Sequence, residues 1–113
     1  MAATVFAVPL APGKTEAWKQ AVAEMTSSRK NDYVASRASL GITKETVALQ
    51  ETPHGDMVVV YMEANDVTNI LQRMIDSNSS FDQWFKQTIL ADAHGLDLSQ
   101  PAPPANPIIA DVI

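Results

Sequence analysis

A strand that is apolar on both faces constrains this chain more than any other feature of its sequence. Residues 57–62 read MVVVYM, and such an uninterrupted apolar run is typical of a strand covered on both sides. The preceding residues 53–56 (PHGD) supply a turn, since Pro fixes φ and Gly adopts conformations closed to other residues. Residues 43–52 alternate, with Val47 and Leu49 on one side, as in a half-exposed strand near a sheet edge. We therefore predict a hairpin whose second strand lies in the sheet interior.

A further strand and a first helix precede this hairpin. Residues 3–10 (ATVFAVPL) are of strand length and composition, and a Pro-Gly pair at residues 12–13 ends them. The spacing then becomes helical, with Trp18, Val22, Met25 and later Tyr33 at the recurring positions. The end of this helix stays open as far as Gly41, because residues 26–32 are polar and poor in helix formers.

Two more helices are predicted after the hairpin. The second follows a cap at Asn65 or Asp66 and has five apolar positions at helical spacing: Val67, Ile70, Leu71, Met74 and Ile75. The third starts at a capping box formed by Ser80 and Gln83 and runs to His94.

The last residues differ in composition from the rest of the chain. Four prolines between residues 101 and 107 favour an extended spacer, and residues 108–113 (IIADVI) are apolar and β-prone. We expect one domain over residues 1–98, and in residues 99–113 a spacer followed by a strand. That strand either completes the sheet of its own chain or crosses to a neighbouring subunit.

The order of these elements predicts a fold class. Strand, helix, strand, strand, split helix and strand is the βαββαβ order of a ferredoxin-like α+β fold. Its helices cover one face of the sheet. Because the strands are apolar on both faces, the other face would expose apolar side chains to water in a single subunit. The simplest cover is a second copy, so we predict a homodimer in which two sheets form a dimeric α/β barrel.

The composition disfavours several classes of function. The chain has 113 residues, 46% of them apolar, which is enough for one small domain. A net charge of −5 repels phosphate backbones, so we expect no nucleic-acid partner. With no cysteine and two histidines, we expect no metal site. No apolar run approaches the about 20 residues that span a bilayer, and residues 1–10 lack a basic signal-peptide segment, so we expect a cytoplasmic protein without a membrane partner.

Several short motifs resemble those of a known superfamily. They are PGK at residues 12–14, FDQWFK at residues 81–86 and AHG at residues 93–95. With the βαββαβ order, they look like the dimeric α/β-barrel superfamily that includes antibiotic-biosynthesis monooxygenase-like proteins. The resemblance covers nearly the whole chain and is closer still to a branch of that superfamily whose function is not established. It implies a homodimer with a monooxygenase-like site.

The resemblance also bears on cofactors. Trp84 and His94 are ten residues apart, as are the Trp and His of haem-degrading monooxygenases in this superfamily, which also use an Asn on the first strand. Aligned on residues 12–13, this chain has Phe6 at the position of that Asn, and residues 3–10 contain no Asn. We therefore expect no cofactor, with haem disfavoured.

His94 is the candidate catalytic residue. At a helix end, an imidazolium satisfies terminal carbonyls and interacts well with the helix dipole. Alternatively, an imidazole at this place acts as a general base near neutral pH. Trp84 likewise has two interpretations, because a Trp on the apolar stripe of a helix either anchors the core or forms the wall of a ligand pocket.

The candidate ligand-binding residues are Trp84, Tyr61, Phe6, Phe85 and Arg37. Tyr61 either points its hydroxyl into a cavity or packs with one hydrogen-bond partner, and Arg37 either pairs with acidic neighbours or holds an anionic substrate. Three functions remain open. The first is a homodimeric barrel that binds a small apolar or aromatic molecule between sheet and helices. The second is a cofactor-independent monooxygenase or isomerase with His94 as base, and the third is a structural dimer without a pocket.

Overall fold

The computed structural model describes residues 2–112 and shows an α+β fold. Its elements in chain order are β1 (Ala2–Pro9), α1 (Thr15–Met25), α2 (Lys30–Ser39), β2 (Ile42–Thr52), β3 (Gly55–Ala64), α3 (Ile70–Asp76), α4 (Ser80–Phe85) and a π-helical segment (Lys86–Ala93). None of the helices in residues 2–112 combines the length and the apolar character that a membrane crossing requires.

The sheet is antiparallel, with β3 in the centre and β1 and β2 on either side. Phe6 of β1 and Val47 of β2 both lie opposite Val60 of β3. Because side chains alternate between the two faces of a strand, these three residues share one face. The predicted hairpin, its edge strand and its central strand are confirmed.

The helices pack against the face that carries Phe6 and Val60. Two apolar clusters fill the space between helices and sheet, one around Trp18, Met25, Val58, Phe81 and Ile89, the other around Phe6, Ile42, Met62, Ile70 and Met74. The opposite face carries Val5, Val59 and Tyr61, and none of these three belongs to either cluster. We call it the open face of the sheet.

The first predicted helix is in fact two helices, because residues 26–29 interrupt it. The hydroxyls of Thr26 and Ser27 donate to the backbone carbonyls of Val22 and Ala23, at 3.0 and 2.6 Å. Such bonds from side chain to backbone compete with helix continuation. The interruption turns the chain into α2, whose buried residues are polar, Ser36 and Arg37.

α3 begins at Ile70, later than a cap at Asn65 or Asp66 predicts. The carboxylate of Asp66 accepts a hydrogen bond from the Thr68 amide at 2.9 Å, which closes a turn before the helix. The residue that precedes α3 is Asn69, with φ at 52° in the left-handed region, which Asn tolerates better than most residues. The cap predicted at residue 65 or 66 is therefore replaced by this turn.

The third predicted helix starts at a different cap and changes type along its length. Ser79, not Ser80, caps α4, since its hydroxyl accepts a hydrogen bond from the Asp82 amide at 3.1 Å. From Lys86 onward the helix is π-helical, and its last bond runs from the His94 amide to the Ile89 carbonyl at 3.0 Å. The expected single α-helix from residue 80 to 94 is thus α-helical only at its start.

The chain after the π-helical segment follows the edge of β1 without forming a strand in residues 97–112. The Ala102 amide donates to the Gln72 side chain at 2.9 Å. Thr4 then donates to the Asn106 carbonyl at 2.9 Å, and the Asn106 amide side chain donates to the Val5 carbonyl at 2.7 Å. The Asn106 side chain therefore occupies one backbone group of β1, the Val5 carbonyl.

The strand expected in residues 108–113 does not form within the described part of this segment, which ends at residue 112. Prolines lack the amide hydrogen that a strand ladder needs, so residues 101–107 cannot pair regularly with β1. Ile109 and Val112 are exposed, at 89% and 79%. The alternative, in which these residues cross to a neighbouring subunit, stays a prediction.

Candidate functional site

A small cavity of about 80 Å³ lies between the sheet and the helices. Its floor is formed by sheet residues that share the helix-covered face: Phe6, Val8, Val47, Val58, Val60 and Met62. Its roof is formed by apolar side chains of the helical layer: Trp18, Val22, Met25, Leu71, Met74, Phe85, Ile89 and Leu90. Apart from the Trp18 indole, the polar groups of the lining are Arg37 with Glu45, and His94. An apolar cavity with a few placed polar groups is the usual form of a small-molecule site.

Arg37 is held in place on several sides. Its Nε donates to Glu45 Oε1 at 3.0 Å, and its Nη1 donates to Ser36 Oγ at 3.2 Å. Its guanidinium carbon lies 5.0 Å from the ring centre of Tyr33 and 4.7 Å from that of Phe85, within the range of cation–π attraction. The Arg37 side chain is only 7% exposed. Its position is therefore fixed by hydrogen bonds along its plane and by aromatic rings.

Tyr33 supplies the second hydrogen bond to Glu45. Its hydroxyl donates to Glu45 Oε2, and its ring stacks on Phe81 with centroids 5.7 Å apart. Burial and the carboxylate of Glu45 raise the pKa of Tyr33 far above its ordinary value. Tyr33 therefore stays neutral and acts as a donor, which leaves both oxygens of Glu45 satisfied.

Asp82 lies behind Arg37 and is satisfied by three hydroxyls. Ser36 and Ser77 donate to its carboxylate, and Ser79 does so at 2.7 Å. Burial alone would raise the pKa of Asp82, but these hydrogen bonds and the charge of Arg37 outweigh it and hold the pKa below its ordinary value. Asp82 Oδ1 is 3.9 Å from Arg37 Nη1. The folded structure therefore stabilises the ionised form of Asp82.

His94 borders the cavity near the end of β1. Its Nδ1 lies 2.8 Å from the carbonyl oxygen of Pro9, and because a carbonyl only accepts, Nδ1 carries a proton. Burial lowers the pKa of His94, against the opposing effect of this hydrogen bond. The neutral imidazole therefore keeps its lone pair on Nε2, where it can accept a proton or a hydrogen bond.

The π-helical segment explains why His94 borders the cavity at all. His94 follows Phe85 by nine residues, which in an α-helix at about 100° per residue would put the two on opposite faces. The bond from the His94 amide to the Ile89 carbonyl instead closes a wider turn of five residues. Phe85, Ile89 and His94 consequently all line the cavity.

The structure brings together four of the six predicted site residues. Phe6, Phe85, Arg37 and His94 line the cavity. Tyr61 does not, because it alternates with Val60 and Met62 and so lies on the open face, where its hydroxyl donates to Glu63 at 2.7 Å.

Trp84 is also not among the residues that line the cavity. It is half-buried, its ring centre lies 5.7 Å from that of Phe81, and the guanidinium carbon of Arg29 lies 4.2 Å from its ring centre. Of its two interpretations, the structure places it as a packing residue beside the core.

Glu45, Tyr33 and Trp18 complete the site and are absent from the predicted set. A signal for Glu45 exists in the sequence, because it alternates in step with Val47 and Leu49 and so belongs to the inward side of its strand. Trp18 is part of the first helical stripe, which the sequence marks as core without indicating a cavity. Tyr33 continues the helical spacing of Trp18, Val22 and Met25, which does not indicate its hydrogen bond to Glu45.

Among residues 2–112, no three His, Cys, Asp or Glu side chains form a group suited to a metal ion. No family model, no curated protein and no solved structure matches this chain.

Proposed function

We propose that this chain binds a small apolar or aromatic molecule in the cavity between its sheet and helices. The supporting observation is the cavity itself, whose lining is apolar except for the Trp18 indole, the Arg37–Glu45 pair and His94. Burying apolar surface of a ligand in such a space supplies the affinity, and the few polar groups fix its orientation.

The size of the cavity limits what enters without rearrangement. Its volume of about 80 Å³ is smaller than the about 150 Å³ of an engineered cavity that holds benzene. Met25, Met62 and Met74 line it, and methionine side chains change rotamer at low cost. A ligand of about six non-hydrogen atoms is therefore accommodated when these side chains move apart.

We further propose that the protein is a homodimer that pairs through the open face, in the manner of a ferredoxin-like dimeric α/β barrel. Val5, Val59 and Tyr61 lie on this face, which the helices leave uncovered. Asp111, near the chain end, is among the charges that raise the pKa of Tyr61, after its hydrogen bond to Glu63 and burial. Residues 108–112 are exposed, with Ile109 and Val112 at 89% and 79%, and they offer apolar surface that a second copy would cover.

Methyl NMR tests the binding proposal with an internal control. The chain has five methionines, of which Met25, Met62 and Met74 line the cavity, whereas Met57 lies on the open face. With ¹³C-methyl-labelled methionine and cyclopentanone as the probe, we expect saturable shifts at the three cavity methyls and none at Met57.

A pair of variants separates cavity binding from surface binding. Val60→Phe places a ring in the cavity and is expected to abolish the shifts, while Val34→Phe, at a site on α2 that is 59% exposed, leaves them intact. Equal shifts at Met57 and Met62, or shifts that survive Val60→Phe, would contradict the proposal and leave the structural dimer without a pocket as the better interpretation.

His94 favours a second candidate function, a cofactor-independent monooxygenase or isomerase in which it acts as base. The supporting observation is its Nδ1 hydrogen bond to Pro9, which leaves the lone pair on Nε2. The first step would move a proton from the carbon beside a ligand carbonyl to Nε2 and leave an enolate. Deuterium exchange at these carbons of cyclopentanone measures the step, and His94→Gln should abolish any acceleration. No acceleration by the wild type would remove this candidate.

A further inference from the structure

Arg37 has hydrogen-bond donors that the protein does not use. A guanidinium carries five N–H groups, and here Nε and Nη1 are bonded to Glu45 and Ser36. Nη2 forms no hydrogen bond with any group in residues 2–112, although the side chain is only 7% exposed. Every fully buried side-chain nitrogen and oxygen in residues 2–112 has a hydrogen-bond partner, so Nη2 keeps some access to solvent, and Arg37 borders the cavity.

The surroundings of Arg37 prevent it from turning to another partner. Its guanidinium carbon lies 5.0 Å from the ring centre of Tyr33 and 4.7 Å from that of Phe85, and Glu45 holds it through Nε. A ligand in the cavity therefore meets a donor whose position is set before binding, which limits the entropy lost on association.

The charges around Arg37 determine whether it binds a charged or a neutral oxygen of a ligand. Glu45 shares the cavity wall with it, and Asp82 lies 3.9 Å behind it. One cation and two carboxylates sum to a negative cluster, so a ligand carboxylate would meet repulsion in a poorly solvated place. A neutral oxygen accepts the hydrogen bond without that cost.

We infer that Arg37 donates a hydrogen bond to an oxygen of the ligand, and that the site selects a neutral carbonyl compound over a carboxylate or a plain hydrocarbon. The inference rests on the proposed binding function, because it concerns the same cavity. It differs from the expectation that Arg37 holds an anionic substrate, since the charges of Glu45 and Asp82 together outweigh that of Arg37.

Three probes of similar size test it: cyclopentanone, methylenecyclopentane and cyclobutanecarboxylate. Dissociation constants come from titrations of the labelled cavity methyls. We expect the ketone to bind at least about tenfold more tightly than the alkene, which is the usual gain from one hydrogen bond to a charged donor, and the carboxylate to bind most weakly.

Two variants test whether these preferences come from Arg37 and its neighbouring carboxylates. Glu45→Gln removes one negative charge, so the carboxylate should gain about tenfold or more in affinity relative to the ketone. The double variant Arg37→Met, Glu45→Met removes both partners of the ion pair, while the Asp82 carboxylate keeps its hydrogen bonds from Ser36, Ser77 and Ser79. This variant should bind ketone and alkene equally.

The possible results are distinct. If the alkene or the carboxylate binds the wild type as tightly as the ketone does, the role of Arg37 is overturned while cavity binding stands. If the double variant keeps the wild-type preference for the ketone, the role of Arg37 is likewise overturned. If none of the three probes shifts the cavity methyls, the proposed function fails and the inference fails with it.

Discussion

The amide of His94 donates to the carbonyl of Ile89, five residues earlier, rather than to that of Leu90 as in an α-helix. This bond closes the last turn of the π-helical segment, and it rotates His94 onto the side that carries Phe85. Stretches of π-helix are rare and occur often at functional sites, because they redirect a side chain at the cost of regular helical bonding. Here the segment adds His94 to the few polar groups that line the cavity.

The first prediction concerns the stability of the fold as a function of pH. Burial lowers the pKa of His94, so just below about pH 6.5 the unfolded chain binds more protons than the folded chain does. The free energy of unfolding should therefore fall as the pH decreases from neutral to about pH 5. Urea titrations followed by circular dichroism measure it.

Two histidine variants test whether this pH dependence comes from His94. His94→Gln should flatten it, whereas His54→Gln, in the exposed turn between β2 and β3, should leave it unchanged. The lowered pKa of Asp82 acts in a separate range, because its stabilisation is lost only below about pH 3.9. A stability that stays constant from neutral pH to about pH 5 would contradict the burial of a neutral His94.

The second prediction concerns the buried carboxylate of Asp82. Asp82→Asn removes the charge that Ser36, Ser77, Ser79 and Arg37 all face, and should cost about 2 kcal/mol of the free energy of unfolding. Asp92→Asn is the matched control, because its ion pair with Lys14 at 3.0 Å is exposed and is worth less than about 1 kcal/mol. Equal losses in urea titrations would show that the Asp82 cluster adds nothing beyond a surface pair.

The third prediction concerns the empty space of the cavity. Val47→Ile adds one methylene to a side chain that lines it, and should raise the free energy of unfolding by up to about 0.8 kcal/mol. The same methylene occupies room that a ligand needs, so the affinity for cyclopentanone should fall. Val34→Ile, on the exposed surface of α2, should change neither quantity. A destabilised Val47→Ile would mean that the wall does not admit the added group.

The hairpin and the helical stripes were predictable from local pattern alone. The alternation around Val47 and Leu49, the turn before Gly55 and the apolar central strand each report on neighbours within a few residues. The ends of the helices were less predictable. Whether Ser79 or Ser80 caps α4 depends on which hydroxyl reaches the Asp82 amide, and several serines in succession make the sequence signal ambiguous.

The site was predictable only in part, because it depends on register and not on residue type. Phe6, Phe85, Arg37 and His94 line one cavity, but Tyr61 is one position out of step with the inward-facing Val60. A shift of one residue on a strand moves a side chain to the other face. The π-helical segment likewise has no sequence signal in this chain, so the approach of His94 to the cavity is visible only in three dimensions.

The last prediction concerns the open face of the sheet. Val59 lies in its middle, opposite Ala7 of β1 and Ala48 of β2. If a second copy covers this face, Val59→Arg buries an unpaired charge in the interface, which association does not tolerate. We expect sedimentation of the wild type at micromolar concentration to show twice the 12.2 kDa of one chain, and the variant to show a single chain.

Val34→Arg makes the same change on the exposed surface of α2 and should leave the pair intact. Circular dichroism of each variant establishes that a lighter particle is still folded, so that loss of pairing is separated from loss of structure. A wild type that sediments as one folded chain would refute pairing through the open face, while cavity binding would be unaffected, because the cavity lies on the opposite side of the sheet and is lined by residues of one chain.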